Sequence, residues 1–312
     1  MDLQLLLSKK EVTYGVDPVA LAAQSVRCEE VTFDLQGERV TPNTAKPGVG
    51  AEADQVYGEH VAFGFKVPLI GSGVAGTAPK WGPIMKACGY TETTVAATSV
   101  TYAPMVNPLL ADSITHKWRD GNKRVHLIKG WRGRVGFELS AGKRPMLVFM
   151  GRGLHSDVTE AGAVLAQADA DFTGWLDSLV VAQGTTTFAL GGVNGLGIRE
   201  FQLDASDNVK FVDVPEQENV ELRGPRELTG SIKTTVPLAS VYNYETKWRT
   251  GAVETIAMVH GSVAGKIVTV NARAQLITPK YARENDQDVV SANVKLVPAS
   301  LTSDDDISLV LT

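Results

Sequence analysis

The chain has only two cysteines in 312 residues, Cys28 and Cys88. They are too few for a disulfide framework or a cysteine-based zinc site, and a reducing site of synthesis is expected. No apolar run approaches the roughly 18 residues that a membrane helix needs. Leu5-Leu6-Leu7 near the start has no basic residue before it, which argues against a secretory signal. Positive charge is not in excess. The formal net charge is −5, so a strongly basic nucleic-acid binder is not the default reading. His116, His126, His155 and His260 are scattered, and no His-x-x-x-His spacing suggests a metal site. No serine sits on a glycine elbow, and neither cysteine has a base partner in sequence. The stretch Gly71-Ser72-Gly73-Val74-Ala75-Gly76 is not followed by the Gly-Lys-Ser or Gly-Lys-Thr of a phosphate loop. It also lacks the βαβ context of a dinucleotide site, and reads as a flexible loop after a strand. Gly192–Gly197 reads as a loop between strands. Ser303-Asp304-Asp305-Asp306 reads as a solvated turn rather than a metal site. With no catalytic constellation, no enzyme activity and no cofactor are expected.

What the sequence does have is alternation. Hydrophobic residues make up 44% and charged residues 21%, the balance of a globular protein with one large core or two ordinary ones. Val61, Phe63, Phe65 and Val67 alternate with His60, Ala62, Gly64 and Lys66, which predicts a half-buried strand. Trp131, Gly133, Val135, Phe137 and Leu139 do the same against Arg132, Arg134, Gly136, Glu138 and Ser140. Met146 to Met150 is apolar on both faces, and Ser140-Ala141-Gly142-Lys143 predicts the hairpin turn before it. Residues 1–30 read as an extended arm. The best helix candidate lies within 78–89. Pro83 fits near its start, Gly89 fits as its cap, and Trp81, Ile84, Met85 and Cys88 fall on one core-facing stripe. Segment 159–170 is alanine-rich and reads as a short helix or a linker.

Charge is uneven along the chain. Bases dominate from His116 to Arg152, and acids cluster from Asp204 to Glu221. Two solvated faces, or head-to-tail contact between copies, both fit this pattern.

Several features recur in order. Thr32–Gly37 returns as Thr187–Gly192, and Val67-Pro68-Leu69 returns as Val236-Pro237-Leu238. A tryptophan helix closed by glycine comes after each, Trp81 to Gly89 and Trp248 to Gly251, with Trp248 expected as a core anchor like Trp81. Gly121-Asn122-Lys123-Arg124-Val125 then matches Gly265-Lys266-Ile267-Val268. The order predicts two like-folded domains, 1–155 and 156–312. The fold class expected is mainly β, tandem β-sandwich or barrel domains, each flanked by one helix.

The run from Glu59 to Leu69, into Gly71-Ser72-Gly73, Thr77-Ala78-Pro79, Trp81-Gly82-Pro83 and Ala87-Cys88-Gly89, resembles the tail tube proteins of long-tailed phages and prophages. Tyr14-Gly15-Val16-Asp17-Pro18 and Asn293–Pro298 are similar to that family's opening and ending. Nothing is recognised at 105–120 or 155–186. The resemblance implies a structural protein of the virion tail, synthesised in the host cytoplasm. Its copies would form stacked rings around a channel for genome ejection. The implied partners are the chain itself, the tape measure protein, tail terminator or tip proteins, and DNA in transit, with no membrane. Two tube domains per chain imply a trimer with pseudo-sixfold symmetry. The alternative is a hexamer with one outer decorating domain.

A wall that lets DNA slide should lack unpaired bases. The candidate lining residues are His60 and Lys66; Glu227, Thr229, Ser231 and Lys233; and Ser291, Asn293 and Lys295. Their lysines are expected at strand ends or paired with acids. The alternative function is a carbohydrate- or receptor-binding β-sandwich of a tail tip. That reading would need exposed aromatics clustered on one face.

Overall fold

The structure is a computed structural model and describes residues 4–42, 44, 47–121, 124–156, 158–160, 170–300 and 303–312. Residues 161–169 of the alanine-rich segment, and Asn122 and Lys123 of the first Gly-Lys turn, lie outside them. The protein is mainly β, with two α-helices among the described residues, Gly82–Ala87 and Tyr244–Thr250.

Where the sequence alternates, the backbone is extended. From Gln55–Pro68, Val61, Phe63, Phe65 and Val67 enter the core. From Arg124–Ser140, Trp131, Val135, Phe137 and Leu139 do so. Burying each such side chain contributes roughly 1.5–3 kcal/mol, and that preference sets the register, because a one-residue slip would turn all of them to water.

Eight strands form one continuous antiparallel sheet. Their order is Glu29–Val40, Gln55–Pro68, Met146–Leu154, Arg124–Ser140, Ile198–Ala205, Leu228–Thr235, Gln287–Leu296 and Val268–Glu284. The first four come from the first half of the chain and the last four from the second. Both sets run in the same sequence order: first strand, second, fourth, third.

Behind each set lies a second layer. Gln4–Lys10 pairs with Ile114–Asp120, which pairs with the first part of Arg124–Ser140, as does Thr159–Glu160. In the second half Thr186–Leu190 pairs with Val253–His260, which pairs with the first part of Val268–Glu284, as does Ile307–Leu311. Each long strand therefore serves both layers. Each has a register irregularity at the crossing, between Lys129 and Arg132 and between Leu276 and Pro279. A hairpin, Tyr90–Val95 with Ser99–Pro104, leaves the first half and extends the second half's back layer through Ile307–Leu311.

Three expectations change. Residues 4–30 are not simply an extended arm but pack onto the body of the protein. Gln4–Lys10 is paired along its whole length, and Leu5, Leu6 and Leu7 are all buried. Glu11 pins the chain where it leaves this strand. Its buried carboxylate accepts hydrogen bonds from Ser113 Oγ (2.6 Å), Thr115 Oγ1 (2.6 Å) and the amides of Gly130 (2.6 Å) and Gly15 (2.8 Å).

The Thr32–Gly37 and Thr187–Gly192 stretches do not occupy like places. The first pairs with Gln55–Pro68 in the large sheet and the second with Val253–His260 in a back layer. The partner of Glu29–Val40 in pairing order is Ile198–Ala205. The glycine loop after Leu69 is a packed joint rather than a loose one. The Gly73 amide donates to the Gly265 carbonyl at 2.9 Å, and a Cβ at Gly71 would overlap that oxygen.

Candidate functional site

The large sheet has one apolar face against the back layers and one polar face. Cross-strand register places Glu138, Gln202, Ser231 and Asn293 in one row over four neighbouring strands. Thr229 faces Lys295, and Lys233 faces Ser291 in the flanking rows. Thr229, Ser231, Lys233, Ser291, Asn293 and Lys295 thus form one patch, and Glu227 joins it through Lys295 at 3.4 Å. His60 and Lys66 lie on the same face, but with three strands between their own and the nearest strand of the patch.

Three lysines of this face, Lys66, Lys233 and Lys295, are neutralised in place, while Lys280, opposite Ser291, is exposed. Lys66 Nζ lies 2.8 Å from Glu30 and 2.9 Å from Glu138. Hydrogen bonds to these two carboxylates, Glu30 first, raise its pKa above the ordinary lysine value. Lys233 meets Glu284 at 2.5 Å. The arginines of the neighbouring rows are also engaged. Arg132 donates to the Val220 carbonyl at 2.8 Å and lies over the Tyr14 ring. Arg152 pairs with Asp207 at 3.0 Å and bonds the Val209 carbonyl, and Arg134 bonds the Ala205 carbonyl. A face built this way offers neutral and acidic groups with few free cations to hold a phosphate chain.

A second-half hairpin, Val209–Val214 with Gln217–Leu222, roofs one end of the face. Phe211 stacks on His60 with ring centroids 4.6 Å apart, and His60 is further tied to the Gly58 carbonyl and Gln36. His60 is therefore a contact under the hairpin and not part of an open lining. The same hairpin changes the reading of the uneven charge. Part of the acidic segment meets the basic stretch within one chain, through Arg152 and Asp207.

Trp81, Ile84, Met85 and Cys88 are buried around the first helix, and the Trp81 indole donates to the Ile70 carbonyl at 3.0 Å. Trp248 is not a core anchor. It is 48% exposed, and the buried residue of the second helix is Tyr244. The capping glycines explain this. Trp248 lies three residues before Gly251, the place that Lys86 holds before Gly89, on the outer side of the helix. Trp248 and Tyr281 share a shallow cavity of about 400 Å³ with Glu245, Thr246 and Arg249.

The other chemical candidates are structural. Asp306 is not in a solvated turn: it is buried and paired with Arg226, while Asp305 accepts from the Ala299 amide at 2.8 Å and from Ser303. Among the described residues no group of three or more His, Cys, Asp or Glu could hold a metal ion. A cavity of about 520 Å³ beside Val181, Phe188, Leu196 and Ile198 has no acid, base or thiol in its lining.

The hairpin roof and the bonding of Arg132 and Arg152 to it went unread in the sequence. Phe201, Leu203 and Ala205 alternate with Gln202 and Asp204, and that signal could have located the strand that brings them there.

Comparison with known families gives a match over residues 2–302 to the family described as phage tail tube protein. A comparison with curated proteins finds no match.

Proposed function

We propose, for a chain that belongs to the phage tail tube protein family, that three copies close into a ring and that stacked rings form the conduit for genome ejection. As a tail tube protein it is a structural component of the virion, made in the host cytoplasm. The finer reading is that residues 1–155 and 156–312 are two like tube domains. The observation that carries it is the shared pairing order of the two halves within one eight-stranded sheet.

Two domains per chain give six around the axis from three chains, with unlike halves meeting at each junction. The polar face, with Lys66, Lys233 and Lys295 paired, supports a lining over which DNA passes without anchoring. The tape measure protein and the tail terminator or tip proteins are the further partners in this reading, and no catalytic step is involved. Mass measurement of isolated rings, with the symmetry of a reconstructed tube, tests it. Three chains per ring support it; six chains per ring would reject the two-domain assignment. A carbohydrate-binding role is the competing reading because Trp248 and Tyr281 are exposed side by side. Saturable binding of host-surface glycans by a chain that stays monomeric would favour it.

A further inference from the structure

Two arginines of the large sheet face each other directly. Where Arg124–Ser140 pairs with Met146–Leu154, Arg132 stands opposite Arg152, and Arg134 follows two residues along the same face. Side chains so placed have Cβ atoms roughly 5 Å apart, and like charges there repel. The next residues across the ladder, Ala62 beside Arg152 and Met150 beside Arg134, carry no charge. What receives these arginines comes from the second half of the chain. Arg132 donates to the Val220 carbonyl at 2.8 Å and Arg152 to the Val209 carbonyl, both on the roofing hairpin. At the foot of the hairpin Arg152 also meets Asp207 at 3.0 Å, and Arg134 bonds the Ala205 carbonyl. Carbonyls satisfy guanidinium N–H groups without cancelling their charge, so the charge is covered rather than removed.

The hairpin is a separate piece of construction. Its two strands pair only with each other, as a small sheet apart from the large one. Val209, Val220, Leu222 and Phe211 gather with Ala111 in a small core of their own. The chain enters and leaves at one point, where the Arg223 amide donates to the Asn208 carbonyl at 2.8 Å. Tyr14 fastens it from the first half, its hydroxyl accepting from the Val220 amide at 2.6 Å. The two sides of the hairpin differ in charge. One side covers the arginines, while Asp213, Glu216 and Glu218 are exposed to solvent, with Lys210 also exposed.

We propose that the hairpin shields a latent phosphate-binding site made by Arg132, Arg134 and Arg152, whose ligand is the backbone of DNA. Uncovered, three guanidinium groups on adjacent positions of two strands suit phosphate oxygens, which they contact without reading sequence. Covered, the same area presents carboxylates, which repel the backbone. The hairpin thus inverts the sign of the surface that DNA meets. The proposal rests on the reading of the chain as a conduit for DNA, and adds to it the element that keeps the passage from holding its cargo.

Two deletions of equal charge test it, with a short fluorescent DNA duplex as the probe and the unassembled chain as the binder. Excising 209–222 and joining Asn208 to Arg223 through a short glycine link removes Asp213, Glu216, Glu218, Glu221 and Lys210, a net three negative charges. Trimming only 213–218, with an Asn-Gly turn between the facing Val212 and Asn219, also removes three but leaves the arginines covered. The excised chain should bind the duplex about tenfold more tightly than the intact chain at low salt, with a salt slope steeper by about 2, because Arg152 keeps Asp207. The trimmed chain should gain far less. Arg132→Ala, Arg134→Ala and Arg152→Ala together should abolish the gain in the excised chain. A folded excised chain that binds no more tightly than the intact one overturns the proposal. So does a trimmed chain that matches the excised one, or a gain that survives the arginine substitutions. Should the excised chain fail to fold, Val220→Pro serves in its place at unchanged net charge. The proline has no N–H for Tyr14 and breaks the pairing with Phe211, and the absence of tighter binding would then reject the shield. Electron microscopy of the intact chain scores assembly separately. A chain that never forms rings or tubes rejects the conduit reading, while the DNA measurement still decides the site under the hairpin.

Discussion

The two halves share a pairing order but not a core. In the first, Phe63, Phe65, Trp118, Trp131, Phe149 and His116 stack against one another across the sandwich. In the second, the same space is filled mainly by Ile232, Ile256, Val270, Ala274, Val290 and Val294. Each half nevertheless holds one histidine on the middle back strand, bonded to a hydroxyl on the edge strand. Ser8 Oγ is 2.7 Å from His116 Nδ1, and Thr186 Oγ1 is 2.8 Å from His260 Nδ1. Strand order is thus compatible with aromatic or aliphatic filling, provided volume and alternation are kept. The halves differ in how much depends on single large groups, and four measurements on the unassembled chain sharpen that difference.

Trp131→Ala should have the largest effect. It removes a fully buried indole that donates to the Phe63 carbonyl, for a loss of about 3–5 kcal/mol in urea denaturation. A loss below that of Ile256→Ala would show that the aromatic core is not the stiffer one. Glu11→Ala comes next. It strands two hydroxyls and two amides that now share one carboxylate, and should destabilise by about 3 kcal/mol. The second half's buried Glu254 instead meets Lys247 at 2.7 Å.

The third measurement is pH dependence. Burial lowers the pKa of His116 to about 3 and also lowers that of His260. Unfolded histidine binds a proton below about 6.5, while native His116 stays neutral. Its contribution is therefore complete above that pH and is lost as pH falls from about 6.5 towards 3. Between pH 7.5 and 5 the loss should reach about 2 kcal/mol, and His116→Phe should flatten the slope. A wild-type slope unchanged in that variant would reject the assignment. The smallest effect is expected at Trp248→Ala. It should alter monomer stability by less than about 0.5 kcal/mol, and a loss like that of Trp131→Ala would mean that the indole is buried after all.

The contrast also shows what was legible in the sequence. The strands around Val61–Val67 and Trp131–Leu139 were readable because one face is buried and the other is polar, so the period is visible. Gln4–Lys10 was not, because Leu5, Leu6 and Leu7 are enclosed on both faces and no alternation survives. Trp248 misled because a tryptophan near a capping glycine gives a residue type without a phase; counting from Gly251 supplies it. The polar patch from Thr229 to Lys295 could be read strand by strand. The roof over His60 could not, since it depends on a contact between Phe211 and a residue far away in sequence.

The long strands Arg124–Ser140 and Val268–Glu284 each run through both layers of their half. A sandwich joined only by loops can shear, one layer sliding over the other while every hydrogen bond within a layer survives. Here such sliding would have to stretch a covalent backbone or break the ladder on one side of the crossing. The layers are coupled mechanically. Amide exchange should accordingly find no state in which one layer opens alone, and each half resists shear through its covalent chain as well as its contacts.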